Sequence, residues 1–291
     1  LLAHENIATI YDYGERNGSS FVAMEYLFGK DLQSIMQRAG ETGKLMDVEL
    51  ALMVALKICE AMGYAHTVKD PRQHPLNVIH RHLNPGNVFI TYEGKVKILN
   101  FGILKAHPST TRARVGVANG TSSYMSPEQL ASDDIDHRSD IFSITTLLYE
   151  MLSGRRPYSG DMSTLIRKPM ALEYIPLETV LPGLQPEVYS IVHTGLAKDR
   201  NLRYQSCREM GEALAECLFT AARRPTMQRL KEYIRAQFKV EFEAEKASLF
   251  AVAGRWKKSS RPMEFDRHRV GRLLTSESAI VDKPSLHERG T

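Results

Sequence analysis

Two polar motifs joined by one short hairpin constrain this chain more than anything else in it. His80-Arg81-His82-Leu83-Asn84-Pro85-Gly86-Asn87 is followed, thirteen residues after Asn87, by Asn100-Phe101-Gly102. Between them, Val88-Phe89-Ile90 and Val96-Lys97-Ile98-Leu99 read as strands around the turn Glu93-Gly94, since β-branched and aromatic runs bounded by a glycine turn favour paired extended chain. A hairpin brings its outer ends side by side, so both motifs are predicted to face one cleft. Upstream, Leu50, Val54, Ile58, Ala61 and Ala65 recur every three or four residues, the spacing of one apolar helix face. That helix is predicted to begin at Val48, with the Asp47 carboxylate accepting from free first-turn amides. Ile141–Leu152 reads as a mainly apolar, buried helix, and Ile135–Arg138 and Pro182–Pro186 as loops.

The motif pair resembles the catalytic and metal-binding loops of eukaryotic-like serine/threonine protein kinases of bacterial type, H-R-D-L-x-x-x-N and then D-F-G. Other segments extend the resemblance from about Leu1 to Ala221. Phe21–Leu27 is similar to a small-lobe strand, gatekeeper (Met24) and hinge. Gly120–Glu128 is similar to the end of an activation segment, with Ser126-Pro127-Glu128 in place of A-P-E. Ser139–Ser143, Leu147–Gly154 and Arg156-Pro157-Tyr158 resemble the central helix of the large lobe and its exit. Thr145 stands where that helix usually has glycine. Asp199-Arg200 and Arg203 fit a late loop whose arginine pairs with the A-P-E glutamate.

The resemblance implies an α+β fold: a mostly helical kinase-like large lobe at 29–221, a remnant of the small lobe and hinge at 1–28, and a basic C-terminal extension at 222–291. The glycine-rich loop, strand lysine and helix glutamate that a kinase uses find no match here. The chain then reads as a trimmed fragment or as a product lacking most of its small lobe.

By the same resemblance Arg81, His82, Asn84, Asn87 and Thr121 take the catalytic positions. Met24, Glu25, Leu27 and Phe89 take the nucleotide pocket, and Asn87 and Asn100 the metal positions. Both template acids are missing. His82 replaces the catalytic aspartate and Asn100 the metal-binding one, while Asn84 replaces a lysine that would neutralise the moving phosphate. A neutral carboxamide gives up the charge a carboxylate offers a divalent ion, and each ~1.4 kcal/mol of lost stabilisation is tenfold in rate. The architectural residues of the resemblance fare better: Asp140 anchors the catalytic loop, Glu128 pairs with Arg203, and His80 and Phe101 join an apolar stack.

Formal charge divides the chain. Residues 1–221 hold 22 Lys/Arg against 25 Asp/Glu, and residues 222–291 hold 16 against 9. In the basic part, Met227, Leu230, Tyr233, Ile234 and Phe238 form an amphipathic stripe, packed back on the large lobe or docking a partner. Gly254–Arg272 carries seven Lys/Arg against two acids and reads as a flexible tail, with nucleic acid, an anionic membrane or an acidic protein as its alternatives. Cys59, Cys207 and Cys217 form no paired spacing and read as reduced thiols. The most apolar run, Leu50–Ile58, is too short to span a bilayer, and with no signal-peptide pattern and reduced thiols a cytoplasmic protein is expected.

The leading expectation is a pseudokinase: a signalling scaffold or allosteric partner, without cofactor, for another protein kinase or signalling protein. The alternative is an active kinase with His82 as base, which alone would call for ATP and magnesium. A third is an anion-binding tail. Phosphorylation of Ser109, Thr110 or Thr111, read by Arg81, is a further expectation.

Overall fold

The computed structural model describes residues 2–16, 19–101, 121–131, 134–158, 173–221 and 223–258, together with 164, 167, 169 and 171. The activation-segment hydroxyls Ser109, Thr110 and Thr111 lie outside these residues.

Among the described residues, two small sheets precede and interrupt a helical body. β1 (Ile10–Arg16) and β2 (Ser19–Met24) pair antiparallel, with Tyr13 opposite Val22. Tyr11, Tyr13, Phe21 and Val22 are exposed on this ribbon. The chain then runs into β3 (Gly29–Asp31), which pairs with β4 (Val88–Thr91); β4 pairs in turn with β5 (Val96–Ile98), all antiparallel. Phe89 faces Lys97 in the predicted hairpin. Asp31 ends β3 and starts α1 (Leu32–Thr42), its carboxylate accepting from the Ser34 amide at 2.7 Å, which satisfies one of the free donors of a helix start.

α2 (Val48–Thr67) begins where the pattern places it and buries Leu50, Val54, Ile58, Ala61 and Ala65. The expected cap does not form. Asp47 makes no side-chain bond to the helix; its Oδ2 instead takes Arg229 Nη2 at 2.6 Å. A full guanidinium outcompetes a first-turn amide for the same carboxylate.

α3 (Pro127–Ala131) leads to α4 (Arg138–Ser153), the central strut, buried on nearly every side and closed by Gly154 in the left-handed region (φ 69°). α5 (Leu177–Val180), α6 (Pro186–Gly195) and α7 (Cys207–Thr220) pack around it and α2. Two predicted loops are shorter than expected, since Arg138 and Pro186 each open a helix. Asp136 accepts from the Arg138 amide at 2.9 Å, a local bond that starts the helix early. Proline is tolerated at a first helical position, where its missing N–H is not needed.

Thr145 does not break α4. Its Oγ1 donates to Ile141 O at 2.8 Å, the usual helical back-bond. The room for its branched side chain comes from Gly195 at the end of α6: a Cβ there would lie 1.9 Å from Thr145 Oγ1.

Beyond α7, α8 (Met227–Gln237) and α9 (Lys239–Lys258) fold back onto α1 and the β4–β5 turn. Leu230 and Ile234 are fully buried and Phe238 nearly so, while Met227 of the predicted stripe is 54% exposed. The docking is ionic at its rim. Lys231 and Arg235 reach Glu93 at 3.1 and 2.5 Å, Arg38 reaches Glu241 at 2.5 Å, and Lys30 pairs with Glu245. Arg235 Nε also donates to Tyr92 O at 2.8 Å. Gly94, at φ 84°, sits so close that a Cβ would come within 2.4 Å of Met227 O. Helix α9 continues through Gly254 to Lys258, so the segment read as a flexible tail starts as helix; its remainder, 259–272, lies outside the described residues.

The three cysteines are buried and unpaired. No described helix is long and apolar enough to cross a membrane.

Candidate functional site

Asp140, at the first turn of α4, organises the motif loop. Its carboxylate is completely buried and accepts from the His80 and Arg81 amides at 2.9 Å each, and from His66 Nε2 at 2.9 Å. Burial pushes the Asp140 carboxyl up, but these partners outweigh it and hold it below the ordinary carboxylate value. The loop is thus fixed by its backbone, and Arg81 adopts φ 67° to make the turn. Gln129 Nε2 of α3 adds a bond to Arg81 O at 2.8 Å.

His80 is locked as a neutral ring. Its Nε2 faces Leu99 O at 2.9 Å, and a carbonyl can only accept, so Nε2 carries the proton. Nδ1 then accepts from the His82 amide at 3.3 Å. Its ring meets Phe101 edge-on, centroids 4.8 Å apart. Burial lowers its pKa despite the nearby Asp140 charge.

The positions that the resemblance gives to phosphate and metal lie side by side and are tied to one another. Asn84 Oδ1 accepts from the Gly86 amide and its Nδ2 donates to His82 O, each at 2.9 Å. Asn87 Nδ2 donates to His82 O at 2.8 Å. Asn87 Oδ1 accepts from Asn100 Nδ2 at 2.7 Å, with Asn100 held at φ 63°. The hairpin therefore brings the two metal positions together, and their amides satisfy each other. These residues do not fit a divalent cation. The pair carries no charge, and the Asn87 oxygen that would face an ion is already engaged. Among the described residues, no group of three His, Cys, Asp or Glu side chains could hold a metal ion.

His82 Nε2 is buried and finds no hydrogen-bond partner among the described residues. Burial, then the neighbouring His80, lower its pKa from the ordinary 6.5. A histidine depressed in the folded state stays neutral while the unfolded chain takes up a proton, so its contribution to stability falls as pH drops below ~6.5. Proton–nitrogen NMR should find His82 titrating below the free-histidine midpoint, and His82→Asn should flatten the loss of stability between pH ~6.5 and the folded midpoint.

The nucleotide-pocket positions separate. Met24 and Asn100 line an apolar pocket of about 190 Å³ with Ile7, Ile10, Ile98 and Phe101. Leu27 and Phe89 do not line it. The Glu25 carboxylate is turned to Lys97 Nζ at 2.7 Å and to the Thr9 amide at 2.8 Å. Thr121 opens a 3-10 turn, Thr121–Tyr124; its side chain lies outside the described residues.

Sequence reasoning missed His66, the third partner of Asp140. Its place in the last turn of an apolar helix gave only the signal that a polar group there must find a buried partner. The Glu128–Arg203 pair expected from the resemblance is present, at 2.7 and 2.8 Å.

Comparison with known proteins agrees with this geometry. The protein kinase domain family matches residues 1–219. The chain is 33% identical over 214 residues to the tyrosine-protein kinase MasK of Myxococcus xanthus, covering 73% of this chain and 33% of that protein. It is 34% identical over 232 residues to the serine/threonine-protein kinase PknA of Mycobacterium tuberculosis, covering 77% and 50%. It is 36% identical over 217 residues to the probable serine/threonine-protein kinase PknB of Bifidobacterium longum, covering 70% and 30%. The chain spans about a third to a half of the length of these relatives.

Proposed function

We propose that this chain, which belongs to the protein kinase domain family, acts as a catalytically inactive pseudokinase: a signalling scaffold or allosteric partner for another protein kinase or signalling protein. One observation carries the reading. Asn100 Nδ2 and Asn87 Oδ1 bond to each other at 2.7 Å where the family holds the ions that bridge nucleotide phosphates. A kinase spends most of its catalytic power on positioning and charge compensation at those phosphates. Here the positions whose acids would supply the charge hold His82, whose pKa burial lowers, and Asn100, a carboxamide. Meanwhile the bonds that shape the large lobe, from Asp140 to the loop and from Glu128 to Arg203, are intact. That combination supports a protein kept for its shape.

The second reading, phosphoryl transfer with His82 as base, draws on the same side chain. A neutral imidazole keeps one basic ring nitrogen and is competent to accept a proton.

One experiment separates them. Purified chain incubated with radiolabelled ATP and magnesium or manganese is expected to label neither itself nor myelin basic protein. Magnesium is expected to leave its melting temperature unchanged, whereas a ligand at about 100 times its dissociation constant adds ~2.7 kcal/mol. The variant His82→Asp/Asn100→Asp is expected to gain a magnesium-dependent shift. Labelling by the unaltered chain that is lost on His82→Ala would overturn the inactive reading in favour of the second.

A further inference from the structure

Helix α9 outruns the body it is docked on. Phe242 is buried, and Glu241 and Glu245 pair with Arg38 and Lys30, so its first turns lie against α1 and β3. Beyond them the cover ends. From Ala247 to Val252 every residue is exposed, and Ser248 alone is polar. Phe250 is 70% exposed and Val252 44%. An apolar stretch that runs all round a helix belongs to a buried element. Among the described residues, nothing covers this one.

The outer face of the helix carries a pattern of its own. Glu243, Ala247 and Phe250 are exposed and follow one another at steps of four and three residues. The helix continues to Lys258, and the same spacing brings Gly254 and then Lys257 onto that line. Alternating steps of four and three make the seam along which two helices pair. This seam is acidic at its start, basic at its end, and small on either side of one aromatic residue. Two copies lying antiparallel set the Glu243 end of each seam against the Lys257 end of the other, and bring each Phe250 to the small positions of the facing helix. A parallel pair would oppose like charges at both ends. An anionic membrane suits this helix less well, because it selects a polar face rich in Lys and Arg, and the first half of α9 holds Glu241, Glu243 and Glu245.

We propose that α9 is a self-association element: two copies of this chain pair antiparallel along the seam of Glu243, Ala247, Phe250, Gly254 and Lys257, about a twofold axis. Such a contact uses the same patch on both copies, so each charge pair occurs twice. Charge across a helix pair sets partner and orientation, and the apolar turn around Phe250 gains the cover it lacks. The pairing is independent of any phosphate chemistry at the motif loop.

The test is sedimentation equilibrium of the full chain over a roughly hundredfold dilution series. The unaltered chain is expected to be dimeric at the upper end and to dissociate on dilution. Phe250→Glu should stay monomeric throughout, with an unchanged melting curve because the position is exposed. Glu243→Lys should raise the dimer dissociation constant about tenfold, since the twofold axis repeats the new like-charge contact. Glu243→Lys/Lys257→Glu should restore the original value. A chain that is monomeric at every concentration would overturn the proposal; cosedimentation of that monomer with phosphatidylglycerol vesicles would give the helix to a membrane instead. A dimer undisturbed by Phe250→Glu would overturn it as well and move the contact to another surface, such as the exposed β1–β2 ribbon. A dimer that Glu243→Lys leaves unweakened would overturn the antiparallel pairing.

Discussion

Arg203→Ala is expected to destabilise the protein by about 3–5 kcal/mol, the typical cost of removing one partner of a buried ion pair. The Arg203 side chain is completely buried. Its guanidinium donates to both Glu128 oxygens at 2.7 and 2.8 Å, and to the carbonyls of Ala197, Arg138 and Lys198 at 2.7, 3.1 and 3.0 Å. Its charge also lies 5.1 Å from the centre of the Phe142 ring. The alanine variant takes the counter-charge from Glu128 and a donor from the carbonyls of Ala197, Arg138 and Lys198. Acid should act through the same pair. Burial pushes the Glu128 carboxyl up, but bonds from Arg203 and Ser139 bring it down to about 2. A carboxyl depressed in the folded state contributes stability above its unfolded pKa, and that contribution is lost as pH falls towards the folded value. Chemical denaturation of the unaltered protein at stepped pH should therefore show stability falling between pH ~4.5 and ~2, and in Arg203→Ala that segment should flatten. An Arg203→Ala melting curve indistinguishable from the unaltered protein would refute the argument.

Gly195→Ala should cost about 2 kcal/mol or more, although alanine is favoured over glycine in a helix by about 1 kcal/mol. The sign turns on space. The new Cβ would lie 1.9 Å from Thr145 Oγ1 and 2.8 Å from both Thr145 Cβ and Cγ2. Neither side can yield, since Thr145 is fully buried in the central helix. Overpacking of a tight core costs typically 1–3 kcal/mol, and a contact this short lies at the upper end. In a domain of this size each kcal/mol moves the melting temperature by about 2–4 °C. The exchange Thr145→Gly/Gly195→Ala should recover most of the loss, because it moves the missing Cβ from one helix to the other. A double variant no more stable than Gly195→Ala would mean that the two positions are not coupled.

These positions also mark what can be read from a chain of letters. The motif loop was legible because thirteen residues and one hairpin bring Asn87 and Asn100 together whatever surrounds them. That their amides then bond to each other was not, since proximity does not fix which way a carboxamide turns. Thr145 was legible as a departure from the family; its accommodation was not, because Gly195 lies fifty residues away and only the fold brings it near. The Asp47 cap failed for the same reason: a local rule met a distant competitor, Arg229. Phe89 and Leu27 were carried over by position alone, and the pocket around Met24 does not include them.

The ion pairs under α8 and α9 bear on where this protein can be cut. The family match stops at residue 219, yet Leu230 and Ile234 belong to the hydrophobic core, and the Phe242 ring stacks near Phe28 and Tyr92. A recombinant chain ended at the match would strip Glu93 and Lys30 of their counter-charges, take Glu241 from Arg38 and wet those two rings. Limited proteolysis ought to spare the backbone well past 219, and the shortest soluble expression product should retain Phe242.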